Sequence, residues 1–198
     1  MPQPAACDEA GGNLQAARDM AVGGDTVELA AGATFMGPLS LRARAGTDWI
    51  VLRSDGAALP AEGRRVAPSD AAAMARIVAP AGLPAISADA SANHVRFVGI
   101  ELTTSSDAFS YALADLGSSQ TTVATMPHHL VFDRCYLHGA ATAGTRRGIA
   151  MNGIHMAVVE SYFTDFRESG ADSQAICGWS GPGPFGIYDN YLAGAGEN

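Results

Sequence analysis

The chain has 198 residues and a formal net charge of −8, with 47% hydrophobic and 7% aromatic residues. It is long enough to bury a core as one domain, and too acidic, with no basic block, to suit nucleic acid or an anionic membrane as partner. All twelve basic residues are arginine, which excludes a lysine base. No apolar run approaches a membrane span, Met1 is not followed by a signal-peptide core, and Cys7, Cys135 and Cys177 form neither an even set for pairing nor a C-x-x-C metal pattern.

Asn13 is placed to cap a short helix over residues 13–22, with Leu14, Ala17 and Ala21 on one face and Gly23-Gly24 ending it. Such a helix can cover the apolar core and strand edge of a first repeat unit. Strands are expected over 25–29, 37–41 and 49–54, together making a first coil. Residues 55–75, with Pro60, Gly63, Arg64-Arg65, Pro68 and a Ser69-capped turn of alanines, read as a loop thrown out of the stack. Strands resume at Arg76-Ile77-Val78 and Ala85-Ile86-Ser87. A second excursion, 104–128, brackets a short strand at Ala112 and carries polar runs at 105–107 and 118–122, which either wall a groove or are solvated.

From there the chain repeats. Residues 129–139, 157–164 and 186–193 align so that Tyr136, Tyr162 and Tyr191 share a column, as do Cys135, Ser161 and Asn190; residues 95–103 join with Ile100 over Cys135 and Leu102 over Leu137, Phe163 and Leu192. The alternation has the period of a strand that shows one face to a core. Shorter strands, at 111–117, 147–153 and 174–179, lie between the long ones, so each period holds at least two strands separated by glycine-bearing turns. A unit with no helix cannot bury its apolar side alone and must stack as parallel rungs, about 4.8 Å apart. Ile100, Cys135, Ser161 and Asn190 should then form a ladder, with the amide of Asn190 bonded to turn backbones and the thiol of Cys135 buried as a small hydrophobe. The sequence stops at 196–198 directly after a rung, which reads as an open end on a fragment, or as a surface for self-association.

The opening helix, the Gly24–Leu29 run and the Gly-Pro-Leu-x-Leu segment that follows resemble the start of secreted bacterial right-handed parallel β-helix proteins of the pectate-lyase-like superfamily, and the repeats extend that likeness over nearly the whole chain. The resemblance implies an all-β right-handed parallel β-helix, a groove for an extended polysaccharide along a parallel sheet, often calcium, and an extracellular location. It does not settle activity, because the superfamily includes lyases, hydrolases, esterases and non-catalytic modules. The Trp-Ile-Asp-His and Arg-x-Pro-x-x-Arg segments of pectate lyases, and the Asn-Thr-Asp and Gly-His-Gly segments of polygalacturonases, are missing.

Among residues suited to chemistry, the densest polar run is 164–174, where Asp165, Glu168 and Asp172 offer oxygens to a hard cation such as calcium. One coil earlier stand His138 and the pair Arg146-Arg147. In a lyase, a base removes the C5 proton of a uronate while a cation or arginine neutralises the carboxylate. Arg147, His138 and Arg146 are the catalytic candidates, and Tyr136, Tyr162, Tyr191 and Trp179 the sugar-stacking ones. The alternative for the arginines is surface pairing with Asp165 or Glu168, and for the tyrosines cross-strand stacking without ligand. A hydrolase needs two carboxylates, about 5 Å apart for retention or roughly 6.5–9.5 Å for inversion; Asp165 with Asp172, or Asp133 with Glu160, are the available pairs. An esterase G-x-S-x-G is missing. The preferred reading is a lyase acting on an acidic polysaccharide, and the alternative a non-catalytic solenoid that binds glycan or serves structure.

Overall fold

The computed structural model describes residues 5–7, 13–55, 58–105, 108–140, 142 and 144–194. Within them the chain winds as a right-handed parallel β-helix of three sheets, every strand pairing in parallel with its counterpart one coil away. The first sheet holds β1 (Ala5–Cys7), β2 (Thr26–Leu29), β5 (Ile50–Ser54), β8 (Asn93–Val98), β11 (His128–Asp133), β14 (Met156–Val159) and β17 (Phe185–Tyr188). The second holds β3 (Thr34–Met36), β6 (Ala75–Ala79), β9 (Ile100–Thr104), β12 (Tyr136–His138), β15 (Tyr162–Phe166) and β18 (Tyr191–Gly194). The third holds β4 (Leu39–Leu41), β7 (Ile86–Ala88), β10 (Ala114–Leu116), β13 (Arg147–Met151) and β16 (Gln174–Cys177). No helix among the described residues is long and apolar enough to cross a membrane.

Stacking in register lines up the inward side chains. Leu52, Phe97, Phe132 and Val158 form one column, Phe35, Ile77, Leu102, Leu137 and Phe163 a second, and Ile86, Ala114 and Ile149 a third, all buried. Phe97 and Phe132 stack with ring centroids 5.0 Å apart. The last described rung differs, since Ile187 and Leu192, which continue two of these columns, are 45% exposed.

The helix α1 (Leu14–Met20) closes the other end and is capped by Asn13, whose Oδ1 accepts from Ala16 N at 3.0 Å. Leu14 and Ala17 join the core. The helix also bonds to the free edge of β4: Gln15 accepts from Ser40 N at 2.8 Å and donates to Ser40 O at 3.1 Å, and Arg18 donates to Arg42 O at 2.9 Å. A side-chain amide thus takes the place of the missing neighbouring strand, which answers the demand of buried backbone groups for partners.

Between the first and second sheets the chain turns through a single residue in the left-handed region: Gly99 (φ 62°), Arg134 (φ 50°), Glu160 (φ 51°) and Asp189 (φ 48°). The long repeat units are therefore two strands broken by this corner, and each coil carries three strands. Just past the corner, side chains of the next rung serve backbone amides: Cys135 N donates to Ser161 Oγ at 2.9 Å, and Ser161 N to Asn190 Oδ1 at 2.8 Å, while Asn190 Nδ2 donates to Val158 O at 2.8 Å. The expected ladder is thus present and its asparagine is structural. Cys135 is fully buried, and burial pushes its thiol up to about 12, so it behaves as a small hydrophobe.

Two local expectations need correcting. Residues 50–54 pair with Thr26–Leu29 in the first sheet and so open the second coil; the strand missing from the first coil is Thr34–Met36, where exposed Met36 puts an apolar side chain outward and blurs the alternation. The alanine turn, Pro68–Ala73, is a 3-10 helix tied not by Ser69 but by Asp70, whose carboxylate accepts from Ala67 N at 2.8 Å. The loop before it does leave the stack, but it folds back along the one-residue corners. Pro60 O accepts from Arg134, Gly63 N donates to Glu160 Oε2 at 2.9 Å, Val66 N donates to Glu160 O at 3.0 Å, and Arg65 pairs with Asp189 at 3.1 Å. Leu59 packs so close to Gly99 that a Cβ there would lie 2.2 Å from its Cδ1, so glycine serves both the turn and the loop. The expected polar residues Ser106 and Asp107, and the residues 196–198 at the expected open end, lie outside the described residues.

Truncating a buried stacked ring deletes both transfer energy and packing, so Phe132→Ala should cost about 3–5 kcal/mol in urea denaturation. Ile187→Ala, on the exposed rung, should cost roughly 1 kcal/mol or less. Equal losses would show that the aromatic column is not what holds the coils together.

Candidate functional site

The tyrosine column exists as aligned: Tyr136, Tyr162 and Tyr191 pair across β12, β15 and β18, with Tyr162 and Tyr191 stacked at 4.3 Å and 15°. Its lower end is a charge cluster that sequence reasoning did not single out. Glu101, 3% exposed, receives Arg76 at 2.9 Å and lies 2.8 Å from His138 Nε2; His138 Nδ1 lies 3.2 Å from Thr103 Oγ1, and its ring stacks on Tyr136 at 4.6 Å. Burial raises the Glu101 carboxyl, but the hydrogen bonds from His138 and Arg76 outweigh it and hold the group below its ordinary value. His138 is thus committed on the second sheet.

Arg146 and Arg147 lie elsewhere, where the chain enters the third sheet. Arg147 Nε donates to Gln174 Oε1 at 3.1 Å, and its guanidinium sits over the rings of Tyr111 (4.5 Å) and Trp179 (5.2 Å). Arg146 pairs with Glu168 and lies over Tyr111 and Phe109 at 5.5 and 5.9 Å. Phe109, Tyr111 and Trp179 are each between 42% and 48% exposed. Trp179 is held by its backbone N–H, which donates to Asn152 Oδ1 at 2.8 Å. Of the acidic turn, Glu168 is taken by Arg146, Asp165 faces Arg167 at 3.3 Å, and Asp172 is exposed. The contacts of His138 run to Glu101, Thr103 and Tyr136, and those of Arg147 to Gln174, Tyr111 and Trp179, so these two catalytic candidates occupy separate surroundings.

The outer face of the first sheet carries a third constellation. Trp49, His94, His129 and His155 follow one another up the stack at the start of the sheet, with His128 beside them. His94 and His129 stack at 4.5 Å and 10°, His129 and His155 at 4.9 Å, and Trp49 meets His94 edge-on at 5.4 Å. His94, His129 and His155 share a φ near +50°, which aims them alike. Burial first, then the neighbouring charges, depresses His94, His128 and His129, leaving them neutral imidazoles at neutral pH. Two adjoining open cavities of ≈290 and ≈300 Å³ run along this face, sharing Arg96 and Val131; Trp49 and Val51 line one, Asp133, Glu160 and Glu62 the other. Asp133, 1% exposed, is held by Arg96 and Arg134, and Glu160 by Gly63 N, so the carboxylate pair considered for hydrolysis consists of two occupied acceptors.

The histidine column was legible in principle. His94, His129 and His155 are separated by 35 and 26 residues, the same spacings as Leu102, Leu137 and Phe163, so the repeat alignment already superposes them. What the sequence does not show is that His128, one residue off the column, turns back towards it. Comparisons with protein-family models, curated proteins and solved structures returned no match, so the site is read from its own chemistry.

Glu101 and Asp133 both have lowered native pKa values, so their stabilisation is complete above the unfolded carboxylate range, near 4, and is lost as pH falls through the lower native values. The melting temperature should decline with acidification below about pH 4. In Glu101→Gln, which cannot titrate, the decline should be shallower; a superimposable profile would mean that the Arg76–Glu101–His138 cluster adds no net stability.

Proposed function

We propose that the chain is a carbohydrate-active β-helix that binds an acidic polysaccharide at the approach to the third sheet. The observation that carries this is the grouping of two adjacent guanidinium groups, Arg146 and Arg147, among three half-exposed aromatic rings, Phe109, Tyr111 and Trp179. Exposed ring faces suit the apolar faces of sugars, and arginine suits a carboxylate through paired N–H donors. Arg147 commits its Nε to Gln174, and among the described residues no carboxylate pairs with its guanidinium.

A repeating scaffold suits a repeating ligand, because equivalent surface positions recur at the rung spacing of about 4.8 Å. The tyrosine column on the second sheet is a separate aromatic surface that also repeats at the rung spacing. The likeness to the pectate-lyase-like superfamily implies a groove for such an extended ligand. For β-elimination, Arg147 is suited to neutralise a uronate carboxylate, which lowers the cost of the carbanion, whereas Arg146 is already paired with Glu168 and Asp165 with Arg167.

Affinity electrophoresis in polygalacturonate or alginate gels, with dextran as the neutral control, tests the binding. Wild type should be retarded by the acidic polymers alone, and Arg147→Ala or Trp179→Ala should weaken retardation about tenfold, equivalent to ~1.4 kcal/mol. No retardation, or variants that bind like wild type, would overturn the assignment. Ultraviolet absorbance of an unsaturated product, measured with calcium and with chelator on the same polymers, separates elimination from binding alone.

A further inference from the structure

Four of the five histidines of the chain gather at one place, the start of the first sheet, on a different face from the saccharide site. We propose that His94, His128 and His129 form a binding site for a late divalent transition ion, with Zn2+ as its type, and that His155 supplies the outermost, fourth nitrogen.

One ring nitrogen from each of the three lies within 4.8 Å of the other two. A tetrahedral ion with bonds of about 2.0–2.1 Å holds its nitrogens roughly 3.4 Å apart, and because imidazole lone pairs lie in the ring plane, the stacked rings of His94 and His129 must rotate out of stacking as the set closes. Nδ1 of His128 and Nδ1 of His129 already converge to 2.8 Å. Only one proton fits between them, so one nitrogen presents its lone pair to the N–H of the other. When an ion enters, that proton moves to Nε2 of the same ring and both lone pairs face the metal.

His94 is prepared by its neighbour. Asn93, 5% exposed, donates both protons of its amide nitrogen, to Arg44 O at 3.1 Å and Ser91 O at 3.0 Å, so its Oδ1 is the atom facing His94 Nδ1 at 2.9 Å. That oxygen only accepts; Nδ1 of the neutral ring therefore carries the hydrogen, and Nε2 keeps the lone pair. A buried carbonyl that fixes ring tautomer and orientation is the usual support of a metal-binding histidine. The donor set contains nitrogen only, which favours Zn2+, Ni2+ or Cu2+ over the oxygen-seeking Ca2+ and Mg2+.

Access is present as well. His128 and His129 are partly exposed, and His155, exposed, has its ring 4.9 Å from His129. The ligands come from three successive coils, through β8, β11 and the turn before β14, so the ion would clamp three rungs together.

Isothermal titration of the tag-free 198-residue chain with ZnCl2 should show one high-affinity site, and saturating Zn2+ should raise the melting temperature by mass action. His129→Gln should abolish both the heat and the thermal shift; His155→Ala should weaken binding about tenfold, and His138→Ala, on the second sheet, should leave it intact. Because His94 is largely buried, circular dichroism first establishes that each variant folds, and the more exposed His128→Gln serves as a second ligand deletion. No heat and no thermal shift in wild type would overturn the site, as would Zn2+ binding that survives both His128→Gln and His129→Gln.

Discussion

The hydrogen-bonded stacking of one coil on the next, in parallel and in register, is the constraint on which the rest of this molecule depends. Each strand takes its backbone partners from the coils above and below, so a residue cannot change rung or face without breaking a ladder. The inward columns fill a continuous core and the outward columns become surfaces of fixed spacing. The demand falls hardest at the ends and corners, where partners run out. Side chains fill in there: Gln15 and Arg18 bond to the edge of β4, and Ser161 and Asn190 supply the amides just past the corner.

The same constraint explains how the outer charges behave. Rungs about 4.8 Å apart put opposite charges on neighbouring coils within ion-pair distance. Arg76, Glu101 and His138 form such a stack, as do Arg96 with Asp133 and Arg146 with Glu168, while Arg134 joins Asp133 from the next position in the chain. Residues that look reactive in sequence are thereby neutralised by their neighbours. Groups with capacity left over therefore carry more functional weight, and among the described residues two such places stand out: Arg147 with the aromatic rings by the third sheet and the imidazole column of the first. One backbone thus presents different chemistry on different faces, with only the outward residues changing.

The loop from Leu59 to Val66 shows how an insertion is reconciled with stacking. It leaves at the end of β5 and lies along corners whose residues, Arg134, Glu160 and Asp189, sit in a left-handed conformation and point their polar groups outward. Left-handed residues are costly for any side chain except glycine, and here the hydrogen bonds to the loop offset part of that cost. Glycine occupies the remaining corner, Gly99, where Leu59 leaves no room for a side chain.

Much of this was legible in the sequence. The spacing of Leu102, Leu137, Phe163 and Leu192 dictates the repeat, the repeat dictates stacking because no single unit can bury its apolar face, and the tyrosine column and the Cys135–Ser161–Asn190 ladder follow from the alignment alone. The strand Thr34–Met36 was hidden, because Met36 turns an apolar side chain outward and blurs the alternation, and so was the break of each long unit into two strands, because inward residues continue on both sides of the corner. Partnership was decided only in three dimensions. Whether His138 meets Arg147 or Glu101, and whether His128 turns towards His129, depends on the corner angle and on which rung lies across a given face. A periodic sequence determines which residues share a column; the folded coil decides which columns become neighbours, since that is fixed by turn geometry that leaves no periodic trace.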